Sequence, residues 1–312
     1  MNITTPVFLV GAERSGTTLL RLMLDHHPQI AFHYEFEFAV DRIDKEGNWP
    51  DLPDYYEYLS YHRIFLLSNF RIDLSLDYPS LIDSFLQQKM KRDNKPIVGA
   101  TVHHRFHYLI KIWPQAKFIH LVRDGRDVAQ SNIIMKWAGN MFTGAQRWVS
   151  AEMLWQQLSA HLKPEQKITI YYEELIRNPQ PQLTNLCDFI GVPFDKAMFD
   201  YAKNSTYDLP DPELLQKWRQ LTNYEIQLAE SQMGKLLTER GYYLSGLPIL
   251  KITPWLRWRL CLHDRWRRRW FYIQHYPITL YLQDILSRRL RLKKWRKQVR
   301  KRINAFENQN IK

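Results

Sequence analysis

The sequence predicts an α/β fold, a central parallel β-sheet flanked by helices on both faces. Two observations carry the prediction. Short apolar runs rich in β-branched and aromatic residues alternate with helical stretches along the first 180 residues or so. Several of those runs are apolar from end to end, as strands covered on both faces must be.

Each element follows from its local pattern. Val7–Val10 is an apolar run that passes through a glycine loop into a helix from about Thr17 to His26. Ile30–His33 reads as a second short strand. The stretch Trp49–Asp77, rich in Tyr, Asp and Pro, reads as a lid or a substrate-side insertion. Pro79 opens a helix through Leu81, Ile82, Phe85 and Met90. Ile97–Thr101 and Phe118–Val122 are buried strands with a helix, His104–Ile112, between them. Asp124 or Asp127 caps the next helix, and Ile168–Tyr172 is a further strand. There is no internal repeat and no low-complexity segment.

Composition bounds the rest. A chain of 312 residues with 45% hydrophobic and 24% charged residues suits one large or two ordinary globular domains. Cys187 and Cys261 are far apart and give neither a disulfide framework nor a metal spacing, which suggests a reducing, cytoplasmic setting. No apolar run reaches the length of a membrane span. The N-terminus enters a strand with no basic-then-apolar leader, so a cleaved signal peptide is not expected. The net charge of +12 is concentrated at one end. Residues 251–312 hold 18 Lys and Arg against three Asp and Glu, whereas residues 1–250 hold 26 against 29. A boundary near Ser245–Pro248 therefore separates a near-neutral domain, 1–245, from a basic helical segment, 246–312.

The glycine loop carries the first functional signal. In Gly11-Ala12-Glu13-Arg14-Ser15-Gly16-Thr17-Thr18 the two glycines allow a tight backbone path into a helix N-terminus. There the unpaired N–H groups and the helix dipole attract an anion. Ser15, Thr17 and Thr18 add hydroxyls. The spacing matches the nucleotide triphosphate loop, but Thr17 stands where that loop has its lysine, and the only nearby cation is Arg14. The loop is built for a phosphate, though not for transfer of a γ-phosphate. A second segment, Lys117 to Ser131, ends a strand in Arg123-Asp124 and places Ser131 about two turns into the following helix. Asp124 there resembles the magnesium-linked aspartate of triphosphatases. The adjacent Arg123 opposes a metal and favours a second anion.

Together these segments resemble the sulfotransferase family that uses 3′-phosphoadenosine-5′-phosphosulfate, which implies a P-loop-like fold and no metal. The likeness runs from about Pro6 to Tyr243 and extends to "YYEELIRNPQPQLTNLCDFIGVPF" and "KWRQLT". It implies that Arg14, Ser15, Gly16, Thr17 and Thr18 hold the 5′-phosphosulfate, and that Arg123 and Ser131 hold the 3′-phosphate. The helix "LMLDHHP" followed by "IAFHYEFEFAV" is similar to the tyrosylprotein sulfotransferase branch, which makes Glu35 the expected general base and Arg14 its partner in catalysis. Strand alternation places His33, Glu35 and Glu37 on one face, with His33 as the alternative base.

One departure stands out. Many relatives carry a lysine after the strand equivalent to Ile97–Thr101, and Thr101 occupies that position here. Either Arg14 supplies the charge alone, or His103, His104 or Arg105 substitutes for the lysine. Two rival readings remain: a kinase using Gly11–Thr18 with Asp124, and a non-catalytic nucleotide- or membrane-binding relative.

The acceptor is a hydroxyl or amine on a sugar, lipid headgroup, peptide or metabolite, held by Trp49–Asp77 and Trp137–Trp148. The C-terminal segment, with five tryptophans among its Arg and Lys, suits contact with an anionic membrane through residues 251–302 as well as it suits solvated helices packed on the body. Nucleic acid is the least favoured partner.

Overall fold

Five strands, β1 (Val7–Val10), β2 (Ile30–Glu35), β3 (Ile97–Val102), β4 (Lys117–Val122) and β5 (Lys167–Tyr171), pair in the order β2-β3-β1-β4-β5, every pair parallel. The computed structural model describes residues 5–206, 209–290 and 292–310. Alternate residues of β1 enter different cores: Phe8 and Val10 face one side of the sheet, Val7 and Leu9 the other. Both faces are thus buried, which explains why the strands read as unbroken apolar runs. β1 lies between β3 and β4, so the loop leaving it opens at the C-terminal edge where the chain turns to either side.

Helices cover the two faces. α1 (Thr17–His26) runs over the end predicted for it. α2 (Leu52–Leu59), α3 (Arg63–Ser68), α4 (Tyr78–Asp93) and α5 (Leu109–Ile112) close one face. α6 (Gly125–Ile134) and α7 (Met141–Ser159) follow β4. After β5 come α8 (Tyr172–Arg177), α9 (Pro179–Ile190), α10 (Tyr201–Asn204) and α11 (Asn223–Glu239). α1 and α9 bury Leu20, Met23 and Leu24 against Leu183, Leu186 and Cys187 on the second face. α6, α7 and α11 form a third cluster around Val128, Trp148 and Met233.

Three sequence expectations are corrected. The stretch Trp49–Asp77 is not a detached lid: α2 and α3 anchor it in the core through Tyr55, Leu59 and Phe65, with Phe70 beyond them, among the buried rings of Phe38 and Phe85, while most of its other residues are half-buried or exposed. Its tyrosines and acids obscured the pattern because Tyr55 satisfies its hydroxyl on the Phe38 carbonyl at 2.8 Å, and Tyr58 donates to Asp41 at 2.5 Å. The helix expected over His104–Ile112 starts late, as a 3-10 turn at Phe106–Tyr108 leading into α5. The alternation expected for His33, Glu35 and Glu37 breaks, because β2 shifts register between His33 and Glu35 and then ends, leaving Glu37 in a 3-10 turn.

The basic segment forms three helices, α12 (Pro254–His275), α13 (Ile278–Arg289) and α14 (Lys293–Asn310). α12 is fastened to the α6–α7 turn. Asp264 accepts from the Gly139 N–H at 2.7 Å and the Thr143 hydroxyl at 2.9 Å, and a Cβ at Gly139 would lie 2.5 Å from the Asp264 Cα. α14 returns to the far side, where Asn304 donates to the Tyr61 carbonyl at 2.9 Å and Arg63 pairs with Glu307 at 3.1 Å. Among the described residues no helix is long and apolar enough to cross a membrane.

One buried charge ties the later elements to the sheet. Arg126, 2% exposed, donates to both oxygens of Asp124 at 3.0 and 2.7 Å and to Glu230 of α11 at 2.7 Å. Its guanidinium lies 3.5 Å from the Trp218 ring centroid. Removing one member of such a set leaves the others desolvated and unpaired. Arg126→Ala is expected to cost about 3–5 kcal/mol, read as a lowered urea midpoint at neutral pH. A loss below about 1 kcal/mol would show that the network is not needed for the fold.

Candidate active site

The loop between β1 and α1 takes its path from glycine geometry. Gly11 has φ 147° and a Cβ there would sit 2.4 Å from the Leu121 carbonyl oxygen, so β1 runs into the loop hard against β4. Gly16 has φ 94° and caps α1, with no room for a Cβ beside the Tyr172 ring. Arg14, between them, is held in the left-handed region at φ 71°. The Ser15 N–H returns to the Ala12 carbonyl at 3.2 Å, and the first helical bond is Leu20 N–H to Gly16 at 3.2 Å. The N–H groups ahead of that bond have no intrahelical acceptor and face the loop's concave side.

The structure joins residues that sequence reasoning assigned to opposite ends of the site. Arg14 Nε donates to Ser131 Oγ at 3.0 Å, and its guanidinium lies 5.7 Å from the Trp137 ring centroid. Arg123 Nη1 donates to the Arg14 carbonyl at 3.3 Å, and the Arg123 guanidinium stands 4.5 Å over the Tyr172 ring. A cleft of about 330 Å³ opens beside them, lined by Arg14, Gly16, Thr17, Thr18, Arg123 and Tyr172. Among the described residues, the buried Ser15 hydroxyl and Arg123 Nε have no hydrogen-bond partner. Buried polar atoms are ordinarily satisfied, so the Ser15 hydroxyl and Arg123 Nε leave donors open beside the loop, while Arg123 Nη2 lies 3.6 Å from the Asp127 carboxylate. Tyr172 was missed as a wall of this cleft; its place in "YYEEL" gave no sign of it.

Asp124 does not stand free as a metal ligand. It caps α6 by accepting from the Arg126 N–H at 2.9 Å, and its carboxylate is engaged by the Arg126 side chain. The kinase reading loses its aspartate on this geometry.

At the end of β2 the three candidate groups part company. His33 is 1% exposed, its Nε2 3.1 Å from the Ser68 hydroxyl. Burial pushes its pKa down to about 3, helped by the charges of Lys89, Arg92 and Arg21. As the alternative base it is excluded: it has neither access nor basicity. Glu35 is exposed at the strand's end, opposite Thr101 of β3. Glu37 accepts from the His103 N–H at 2.9 Å; burial raises its pKa, with His103 opposing.

The segment after Thr101 lines a second cleft, of about 700 Å³, bounded by Glu13, His103, His104, Arg147 and Leu154. His103 Nδ1 is 3.2 Å from the Gly11 carbonyl. A carbonyl oxygen only accepts, so Nδ1 carries a proton, and in the neutral tautomer this leaves the lone pair on Nε2. His104 meets Asp41 at 2.8 Å, and that hydrogen bond raises its pKa. Arg105 points away, onto the carbonyls of Ile43 and Asp44, so it does not replace the missing lysine. Asp41, which also receives the Tyr58 hydroxyl, was not anticipated; nothing in its sequence surroundings distinguishes it.

A parallel α/β sheet with a glycine loop leading from its central strand into a helix defines an α/β protein of the P-loop-like kind. A family model described as "Sulfotransferase family" matches residues 6–196, and the chain belongs to that family. It is similar to protein-tyrosine sulfotransferase A of Caenorhabditis elegans, at 24% identity over 65% of this chain and 54% of the relative. It is also similar to omega-hydroxy-beta-dihydromenaquinone-9 sulfotransferase Stf3 of Mycobacterium bovis, at 24% identity over 76% of this chain and 75% of the relative. The chain spans about half the length of the first curated relatives it matches, 54% and 40%. The sulfotransferase domain of the Synechococcus PCC 7002 olefin synthase shares the fold, with TM-score 0.51 and 23% identity over 74% of this chain and 94% of that domain.

The state of His33 has a measurable consequence. The fold holds it neutral down to about pH 3, whereas an unfolded chain protonates it near 6.5. Its contribution to stability is complete above pH 6.5 and is lost as pH falls from there toward 3. His33→Asn is expected to flatten that limb of a urea-stability profile by up to about 1.4 kcal/mol per pH unit. An unchanged slope would contradict the burial of a neutral imidazole.

Proposed function

We propose that the chain is a sulfotransferase that uses 3′-phosphoadenosine-5′-phosphosulfate, without a metal, to sulfate a hydroxyl- or amine-bearing acceptor. The observation that carries this reading is the cradle in which Arg14 touches both Ser131 and Arg123 beside the unpartnered Ser15 hydroxyl. When bound, the donor supplies a sulfuryl group on a phosphate that leaves readily. Ser15, Gly16, Thr17 and Thr18 hold the 5′ end with Arg14, and Arg123 with Ser131 holds the 3′-phosphate. Arg14 stabilises the charge that develops on the leaving phosphate through a preset donor. Tyr172 and Ile176 give the cleft its apolar wall.

Glu35 takes the acceptor's proton as the new S–O bond forms and the S–O bond to the phosphate breaks in line. Its exposure at the end of β2 and the exclusion of His33 support this role. A second reading has one specific observation in its favour: the Nδ1–H of His103 is anchored on the Gly11 carbonyl, leaving Nε2 as a base at the mouth of the larger cleft. His104, held toward its charged form by Asp41, takes over part of the charge of the missing lysine. The curated relatives are named for a protein tyrosine and for an omega-hydroxy menaquinone, both hydroxyl acceptors. A hydroxyl acceptor, whether on a peptide, lipid, sugar or metabolite, therefore fits the larger cleft. A cytoplasmic setting and a catalytic domain over residues 1–245 complete the reading.

Turnover of the sulfate donor, followed as nucleotide product with a panel of phenols and alcohols, tests the assignment. Glu35→Gln is expected to lose about 10²-fold or more in kcat with donor affinity unchanged. Full turnover in Glu35→Gln together with loss in His103→Asn would transfer the base role to His103. Absence of turnover with every acceptor, alongside intact donor binding, would favour the non-catalytic rival.

A further inference from the structure

The basic helices show an inversion. α12 buries only Leu260 and Asp264 against the body. Its other face, at steps of three or four residues, carries Trp255, Trp258, Leu262, Trp266, Trp270 and Ile273, all exposed. The four tryptophans are 50–62% exposed. α13 repeats the device: Leu280 and Asp284 turn inward, while Ile278, Leu282 and Leu286 stand outward at steps of four. A solvated helix normally hides such a stripe. Arg259, Arg265 and Arg269 are exposed on the same side of α12.

The acids of this segment do not share that face. Asp264 is engaged by Gly139, Thr143 and Arg268, and Asp284 by Arg288. Glu307 is taken by Arg63 and Tyr276. What remains outward is apolar, aromatic and cationic. The patch continues beyond α12. Trp266 and Trp270, stacked 6.1 Å apart, border a groove of about 370 Å³ shared with Ile133 and Lys136. Ile134, Met135 and Trp137 beside it are also exposed. Trp137 in turn stands against Arg14, at the rim of the anion cradle.

We infer that the outward face of α12, continued by Ile134–Trp137, docks the protein onto an anionic lipid surface and opens the active site at that surface. Tryptophan and aliphatic side chains enter the headgroup boundary, and the arginines meet the anionic headgroups. A second copy of the chain is a poor occupant, since the pairing would set unpaired arginines against arginines. The aliphatic members of the stripe have no use on a nucleic acid, which recruits aromatic rings and cations. The docking itself stands apart from the sulfotransfer reading; the place of action it adds rests on that reading.

The experiment uses the full chain with sedimented vesicles of phosphatidylcholine alone or mixed with phosphatidylglycerol. Binding is expected only to the mixed vesicles, with a blue shift of tryptophan emission, and it weakens as salt is raised. Trp258→Ser/Trp266→Ser/Trp270→Ser is expected to bind at least about 10-fold more weakly. Arg259→Gln/Arg265→Gln/Arg269→Gln is expected to bind on the order of 100-fold more weakly. Affinity for 3′-phosphoadenosine-5′-phosphate, measured without vesicles, reports separately that each variant is folded and that the donor site is intact. No binding to mixed vesicles by the parent chain, or binding that survives both variants, would overturn the inference. So would tighter binding to a single-stranded oligonucleotide than to anionic vesicles.

Discussion

The site depends on one close approach. At Gly11 the end of β1 passes so near the Leu121 carbonyl of β4 that no side chain fits between them. That contact sets the glycine loop directly against the residues following β4, and it brings Arg123 to the Arg14 carbonyl and Arg14 to Ser131. Without it the two arginines would belong to separate loops. With it they form one positively charged wall, preset before any ligand arrives. The parallel pairing of β1 with both β3 and β4 fixes the approach, because a one-residue slip would send each β1 side chain into the opposite core and break the packing of both.

The same edge of the sheet carries charges deep in the fold: Asp124 is held off the cradle by its own partners, whereas Asp127, in the first turn of α6, pairs with Arg123 at 3.6 Å and also accepts from the Trp218 N–H at 2.8 Å. Asp124 follows Arg123 directly, yet it is turned into the interior and held by Arg126, which Glu230 and Trp218 also engage. A carboxylate left free beside Arg123 would cancel the field that attracts a phosphate. Beside the larger cleft, Asp41 engages His104, Tyr58 and, at 4.0 Å, His62.

Much of this was legible in the sequence, for physical reasons that differ between elements. β1, β3 and β4 were readable because strands buried on both faces leave apolar runs, β5 from the β-branched residues of its half-exposed edge strand, and α1 because its amphipathic pattern starts where the loop's glycine ends. The anion loop was readable because few residue types tolerate its backbone. α2 was not, because its buried Tyr55 with a satisfied hydroxyl looks polar in sequence, and α3 was not, because six residues are too few to show a helical period. The end of β2 was misjudged because alternation predicts faces only while pairing persists, and the register shift after His33 ends it. The meeting of Arg14 with Ser131, 117 positions apart, is a product of topology that no local pattern encodes. In the basic segment the sequence showed the charge but not the inversion, since an outward apolar stripe and a core-facing one have the same period.

The measurement that goes most directly to the central claim is calorimetric titration of the full chain with 3′-phosphoadenosine-5′-phosphate in the absence of metal, beside ATP with magnesium. A cradle of Arg14, Ser131 and Arg123 predicts tight binding of the bisphosphate, loss of that binding in Arg123→Ala, and weak or no binding of ATP. Tight binding of ATP with magnesium and indifference to the bisphosphate would contradict it.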